Sequence, residues 1–288
     1  MEQHAPSRRR SPLIWVVSAY FAEGIPFALV IWVAGTLFKD LGHSDGEITM
    51  ATASIGLAWS LKPLWAAMLD MWKSKRFFVL GTEYGMALLL LLCALSLRLP
   101  FYFQALVALL WVLAFASATQ DICVDGIYIT ALDAKEQARY IAFQSIGWNT
   151  GRIFATAVLV WLVGTLKAEL GLAAVTAWTY ALVAAALIFL LLALYHGVVL
   201  PAGSRAVAPE GLRAAGRTFM AAGADFLRKP QLAGMLVFVF LYRSGEGFLL
   251  VEAPLFLQAP LHEGGAGLSL IEKGWIDGDA VAREHLTA

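Results

Sequence analysis

Residues 177–200 read AWTYALVAAALIFLLLALYHGVVL, a run with no Asp, Glu, Lys or Arg. A bilayer's hydrocarbon core takes about 20 helical residues to cross, so this run is long enough to span one. No water reaches the backbone at that depth. The chain must satisfy its own amides there, as a helix or as a closed barrel. Apolar character that is continuous rather than alternating selects the helix. The whole chain has the same bias: 60% of its 288 residues are apolar and 15% are charged. That leaves too little polar surface to coat a soluble domain of this length. The fold class expected is an all-α integral membrane protein.

Seven apolar runs read as spans, near 13–38, 48–70, 77–98, 104–131, 139–165, 175–200 and 231–258. Lys and Arg in the connecting loops set the orientation. With the N-terminus in the cytoplasm, the inner segments hold Arg8, Arg9, Arg10, Lys73, Lys75, Arg76, Lys135, Arg139, Arg205, Arg213, Arg217, Arg228 and Lys229. The outer loops hold only Lys39, Arg98 and Lys167, so the N-terminus is expected inside. The arginine triplet at 8–10 could open a secretion signal, but the following run is too long, carries Glu23 and lacks a small-residue cleavage site. It reads as an uncleaved first span.

The organisation expected is a cytoplasmic N-terminus (1–12), a six-helix bundle (13–200), a cytoplasmic linker with an amphipathic helix (201–230), a seventh transmembrane helix (231–258), and an outer loop with an atypical tail (259–288). Six spans, a basic linker and a further span match one half of the major-facilitator architecture, whose six-helix halves are built from three-helix repeats. Asp70 at the end of span two, followed by a basic loop, fits the same plan. In the tail, LSLIEKGWIDG could begin an eighth span, which Asp279, Arg283, Glu284 and His285 would stop. Net charge is zero and suggests no nucleic-acid partner. Cys93 and Cys123 fall in separate apolar runs and read as structural thiols.

A charge at bilayer depth costs roughly 2.5–3.5 kcal/mol on insertion scales, so each needs a partner, a wet cavity or a role. Glu23 lies near the midplane of span one, and Arg152 in span five, Arg243 and Glu246 in span seven reach similar depth. Transporter sites tend to sit at that level. Asp121 and Asp125 are placed nearer the cytoplasm, four residues apart on one helix face, where like charges repel unless a cation or proton intervenes. Lys62 has comparable depth, with Lys73, Lys75 and Arg76 further out. Two readings of the acids stand side by side: proton coupling, and a charge lock at the cytoplasmic gate with Lys62 or the basic loop as partner. Glu23 and Arg152 likewise fit either an interhelical salt bridge or substrate binding. Trp15, Trp59, Trp65, Trp111, Trp148 and Trp161 could stack on a sugar ring or anchor at the lipid interface. Trp148 sits nearest Asn149 and Arg152.

The stretch SATQDICVDGIYI (117–129) resembles the fourth-span signature of AmpG-type muropeptide permeases, in a major-facilitator branch shared with acetyl-coenzyme A transporters. FAEGIPFALV in span one, SLKPLWAAMLD in span two, KSKRFFVL after it, and LYRSGEGFLLVEAPLFL with GGAGLSLIEKG agree, so the resemblance runs from about residue 19 to about 278. It implies a proton-coupled permease importing muropeptide-like or related solutes across a bacterial inner membrane. No cofactor, metal or nucleic acid is implied. By position, Lys62, Asp70, Gln120, Asp121, Asp125, Arg243 and Glu246 match the family pattern. Relatives carry an arginine where this chain has Asn149; either Arg152 on the same face stands in, or the substrate differs. The resemblance also implies twelve or more spans, so the chain reads as truncated after the seventh. It would then be inactive, or active only as a homodimer. An alternative from another class is a membrane-embedded Mg²⁺-dependent transferase using Asp121 and Asp125. Such sites need a second acidic cluster, and none is evident at matching depth. A third reading, a regulatory membrane partner, rests on the basic 205–229 segment against anionic lipid.

Overall fold

The computed structural model of the chain describes residues 11–72, 74–203, 216, 217, 220, 221, 224 and 228–284, with 67, 68, 70–72, 239, 240, 243–251 and 279–284 described in backbone only. Lys73 and most of the linker with its expected amphipathic helix therefore lie outside the described residues. So do the side chains of Asp70, Arg243 and Glu246.

Among the described residues, five helices are long and apolar enough to cross a membrane: α1 (Leu13–Asp40), α5 (Lys75–Ser96), α6 (Tyr102–Ala131), α7 (Ala134–Leu170) and α8 (Ala174–Val199). The expected continuous second span over 48–70 is instead three short helices, α2 (Asp45–Thr52), α3 (Leu57–Ser60) and α4 (Pro63–Trp72). The break has a local cause. Pro63 has no amide hydrogen and crowds the preceding turn, so a helix stops before it and restarts at it. Ser54 and Gly56 loosen the stretch further upstream. A capping box between Ser44 and Glu47 fixes the start of α2. The stretch expected as a seventh span forms one helix, α9 (Leu232–Gln258).

The tail differs from expectation. The helix that begins at Leu270 does not stop at Asp279; α10 runs Leu270–Glu284. Ser269 caps it, its backbone N–H donating to Glu272 at 2.9 Å. An ion pair between Lys273 and Asp277, one turn apart, lets the buried lysine sit against α7. The side chains of Asp279, Arg283 and Glu284, three of the charges expected to stop a span, lie outside the described residues.

Span packing relies on glycines. A Cβ on Gly24 would run into the Trp148 carbonyl oxygen, one on Gly147 into that of Val17, and one on Gly151 into that of Phe21. Helices α1 and α7 thus touch backbone to backbone, the small-residue packing that replaces the hydrophobic effect inside lipid. At Gly164, a Cβ would lie 2.7 Å from Ile271 Cγ1, so α10 seats on α7 in the same way. Both α1 and α7 carry a π-helical turn at mid-length, Leu29–Val33 and Phe154–Leu159. Such wide turns re-aim side chains and recur at functional sites.

The buried core comes in two apolar blocks. One holds Trp15, Val16, Ala19, Tyr20, Val79, Cys123, Val124, Ile127 and Leu200. The larger holds Ile25, Leu29, Met86, Leu90, Leu110, Leu113, Ala114, Ala186 and Phe189 among others. Between them four helices contribute buried polar residues: Glu23 on α1, Glu83 on α5, Ser117 and Gln120 on α6, and His196 on α8. A polar layer therefore crosses the bundle.

Candidate functional site

The two acids that share a face of α6 take different partners. Asp121 is ion-paired with Lys62, which sits at the break just before Pro63. Asp125 accepts a hydrogen bond from the Tyr20 hydroxyl of α1 at 2.7 Å. Repulsion between the acids is relieved by dividing them between a cation and a donor. The broken second span makes the first pairing possible, because the turn before Pro63 lets Lys62 reach α6. Trp65, on the same segment, donates from Nε1 to Thr119 Oγ1 at 3.1 Å.

Glu23 is buried, and its carboxylate lies in electrostatic range of Asp125, Lys62 and Glu83. Among the described residues Glu23 and Arg152 form no salt bridge, and Glu23 Oε1 has no hydrogen-bond donor. Of the two readings of this pair, the salt bridge is not seen among the described residues. The Arg152 guanidinium lies 5.6 Å from the ring centre of Trp32 and 5.7 Å from that of Trp148, at cation–π range. Phe27 joins the group: its ring centre is 5.4 Å from Trp32, 5.0 Å from Trp59 and 5.5 Å from Trp148. Phe27 stands one turn beyond Glu23 on α1, and Gly24 packs against the Trp148 and Arg152 backbone, so this half-buried aromatic group lies next to the acid. Trp32 lies in one π-helical turn and Arg152 just precedes the other. Asn149 donates back to its own helix, to the Ser145 carbonyl at 3.0 Å.

Other expected gate residues make contacts between helices. Arg76 donates to the Gly197 carbonyl at the end of α8. The Lys75 chain lies against Gly126, where a Cβ would collide with it. Gln120 donates from Nε2 to Glu83 Oε1 at 3.0 Å. At the opposite end of the bundle Asp40 pairs with Lys167 and accepts from Trp178 Nε1 at 2.9 Å, joining α1, α7 and α8. Beside it, Gln258 of α9 donates to the Thr36 carbonyl at 3.4 Å.

The sequence reading passed over Glu83, His196, Ser18, Phe27 and Trp32. Glu83 and His196 carried a usable signal, a titratable group inside an apolar run. Glu83 lies about two turns past the basic loop and His196 near the end of its run, so each resembled a charge at the membrane interface. Phe27 and Trp32 carried no such signal, since aromatic residues are ordinary in a span.

A search of the solved structures finds a bacterial homolog of the human lysosomal transporter Spinster, in an inward-facing and unoccupied conformation, with TM-score 0.69 at 19% identity over 95% of this chain and 60% of that one. This is a major-facilitator fold. In sequence, the anhydromuropeptide permease of Escherichia coli K12 is 26% identical over 257 residues, 86% of this chain. An uncharacterised protein of Schizosaccharomyces pombe is 25% identical over 166 residues, 54% of this chain and 31% of its own length. The chain spans about half the length of the permease it matches, 48%. No family model matches. The resemblance to anhydromuropeptide permeases thus stands as a distant homology, and the permease and the Spinster homolog are both named as transport proteins.

Proposed function

We propose that this chain is part of a proton-coupled permease that moves muropeptide-like or related solutes across a bacterial inner membrane, with its N-terminus in the cytoplasm. One observation carries the reading: the polar group of Glu23, Tyr20, Asp125, Asp121 and Lys62 adjoins the aromatic group of Phe27, Trp32, Trp59, Trp148 and Arg152. Aromatic faces suit sugar rings, and an arginine between them suits a carboxylate or lactyl acid on the same molecule. Those are the two parts of a muropeptide. Exchangeable protons reside on the acids, and the Lys62–Asp121 pair serves as the lock on the cytoplasmic side.

The helix arrangement supports a site open toward the cytoplasm. Near its outer end α9 closes on α1, with Leu255 buried against Gly35. Its other end carries exposed Met235, Leu236, Val237, Phe238, Leu241 and Tyr242. Alternating access rocks one bundle against another. In this reading a second copy supplies the facing bundle of a homodimer.

The test is uptake of radiolabelled anhydromuropeptide into proteoliposomes under an imposed pH gradient. Gradient-dependent uptake that a protonophore abolishes, and that Trp148→Ala or Arg152→Gln reduces at least tenfold, supports the reading. Uptake that ignores the proton gradient overturns the coupling. No uptake under any gradient marks an inactive chain. Product formation that depends on Mg²⁺ would favour a transferase; among the described residues, no three His, Cys, Asp or Glu side chains cluster to hold a metal.

A further inference from the structure

The polar layer contains a second titratable group, set apart from the paired acids of α6. His196 Nδ1 lies 2.6 Å from Glu83 Oε1, both side chains are 0% exposed, and the two come from α5 and α8. The same Glu83 oxygen accepts from Gln120 Nε2 at 3.0 Å. On its other side His196 Nε2 lies 3.0 Å from Ser18 Oγ of α1. Four helices therefore meet in a chain of hydrogen bonds running Ser18–His196–Glu83–Gln120.

Two lone pairs cannot face each other at 2.6 Å, so a proton lies between Nδ1 and Oε1. With that proton alone the pair carries one negative charge, sealed from water. The cluster can accept one more. In the singly protonated state Nε2 is an acceptor, and Ser18 donates to it. In the doubly protonated state Nε2–H donates and Ser18 Oγ accepts. The serine hydrogen then turns to the Trp15 carbonyl at 3.2 Å or the Ile14 carbonyl at 3.3 Å. Every nitrogen and hydroxyl keeps a partner in both states, and the second proton cancels a buried charge. A hydrogen-bond chain in which one hydroxyl rotates to match either state is built for reversible protonation.

We infer that Ser18, His196, Glu83 and Gln120 form a proton-binding site separate from Asp121 and Asp125. The ligand is a single proton. Its arrival converts a buried anion into a neutral pair at the point where α1, α5, α6 and α8 are tied. The charged and titratable groups around it are few. Glu23 on α1 is within electrostatic range of Glu83. Tyr20 on α1 and Asp125 on α6 bond to each other. On α6, Asp121 is taken by Lys62. Arg76 of α5 is engaged with the Gly197 carbonyl, and Tyr195 of α8 donates to the Ile14 carbonyl at 2.7 Å. No cation other than His196 itself contacts Glu83 among the described residues, so the proton is what neutralises it. This site deepens the proton-coupled reading, yet it is tested by titration, whereas that reading is tested by uptake.

The experiment uses the full chain with ¹⁵N-labelled histidine in lipid nanodiscs, titrated from about pH 5 to about pH 9, where histidine ordinarily changes charge. His196→Gln identifies the His196 signal. The expected result is a reversible one-proton transition at His196. Glu83→Gln, which keeps size and hydrogen bonding but removes the countercharge, binds that proton at least tenfold more weakly. Ser18→Ala, which removes the acceptor for Nε2–H, weakens it several-fold. Asp121→Asn and Asp125→Asn leave the transition within about threefold of the unmodified protein. A His196 signal that never changes, or one whose transition ignores Glu83→Gln, overturns the site. Should His196→Gln fail to fold, Ser18→Ala and Glu83→Gln identify the signal by displacing it, and displacement of none of the histidine signals is equally fatal.

Discussion

Removing Lys62 separates a pair that holds the break in the second span to α6. The Lys62 side chain is 29% exposed and Asp121 19%, so the pair is neither dry nor freely solvated. A full charge at the centre of a spanning helix costs roughly 2.5–3.5 kcal/mol. Partial water contact discounts this, which puts the loss for Lys62→Ala at about 1.5–2.5 kcal/mol. Among the described residues, Asp121 would then face Asp125 one turn away without its cation. The double variant Lys62→Ala/Asp121→Ala has no orphaned charge and should lose less than the single lysine variant, with a coupling of about 1–2 kcal/mol. Reversible unfolding in mixed micelles by titration with sodium dodecyl sulfate, followed by circular dichroism, measures all four corners of the cycle. Losses that simply add would show that the two side chains do not depend on each other, and the assignment of Lys62 as the partner of Asp121 would fail.

The glycine contacts give a second, independent check. Gly147→Ala drives a methyl into the Val17 carbonyl oxygen and should cost about 1–3 kcal/mol in the same unfolding assay, whereas Gly81→Ala, with nothing within 4 Å of the added carbon, should cost nothing. Asp40→Asn breaks the ion pair with Lys167 and weakens the Trp178 bond, and should lower stability by about 1–2 kcal/mol; no change would mean the outer ends of α1, α7 and α8 are held by apolar packing alone. At the start of α2, hydrogen bonds from the Ser44 backbone N–H and hydroxyl hold the Glu47 carboxyl below its ordinary 4.5. A folded value below the unfolded one adds stability that is present above about pH 4.5 and is lost as pH falls through the folded value. The stability difference between the unmodified protein and Glu47→Gln should therefore shrink on acidification, and a difference that is flat or grows refutes the cap.

Much of this protein was fixed by one-dimensional properties of the chain. The length and continuity of runs such as 177–200 require helices in lipid, whereas the break before Pro63 was not legible, since Pro26 and Pro254 sit inside continuous helices. The list of costly groups was legible: a carboxylate at 23, 121 or 125 is expensive in an apolar run whatever the rest of the fold does. The tertiary structure alone decided how those costs are met. Asp125 finds Tyr20 from 105 residues away, and Glu83 finds His196 from 113. Glu23 and Arg152, natural partners by charge and depth, go separately, the arginine to two indole faces. The physical reason is that a desolvation cost belongs to a single helix and can be read along it, whereas its compensation depends on the rotation and register of a neighbouring helix. Here the close backbone contacts at Gly24, Gly147 and Gly151 and the π-helical turns of α1 and α7 set those two quantities, and neither is visible until the helices are packed.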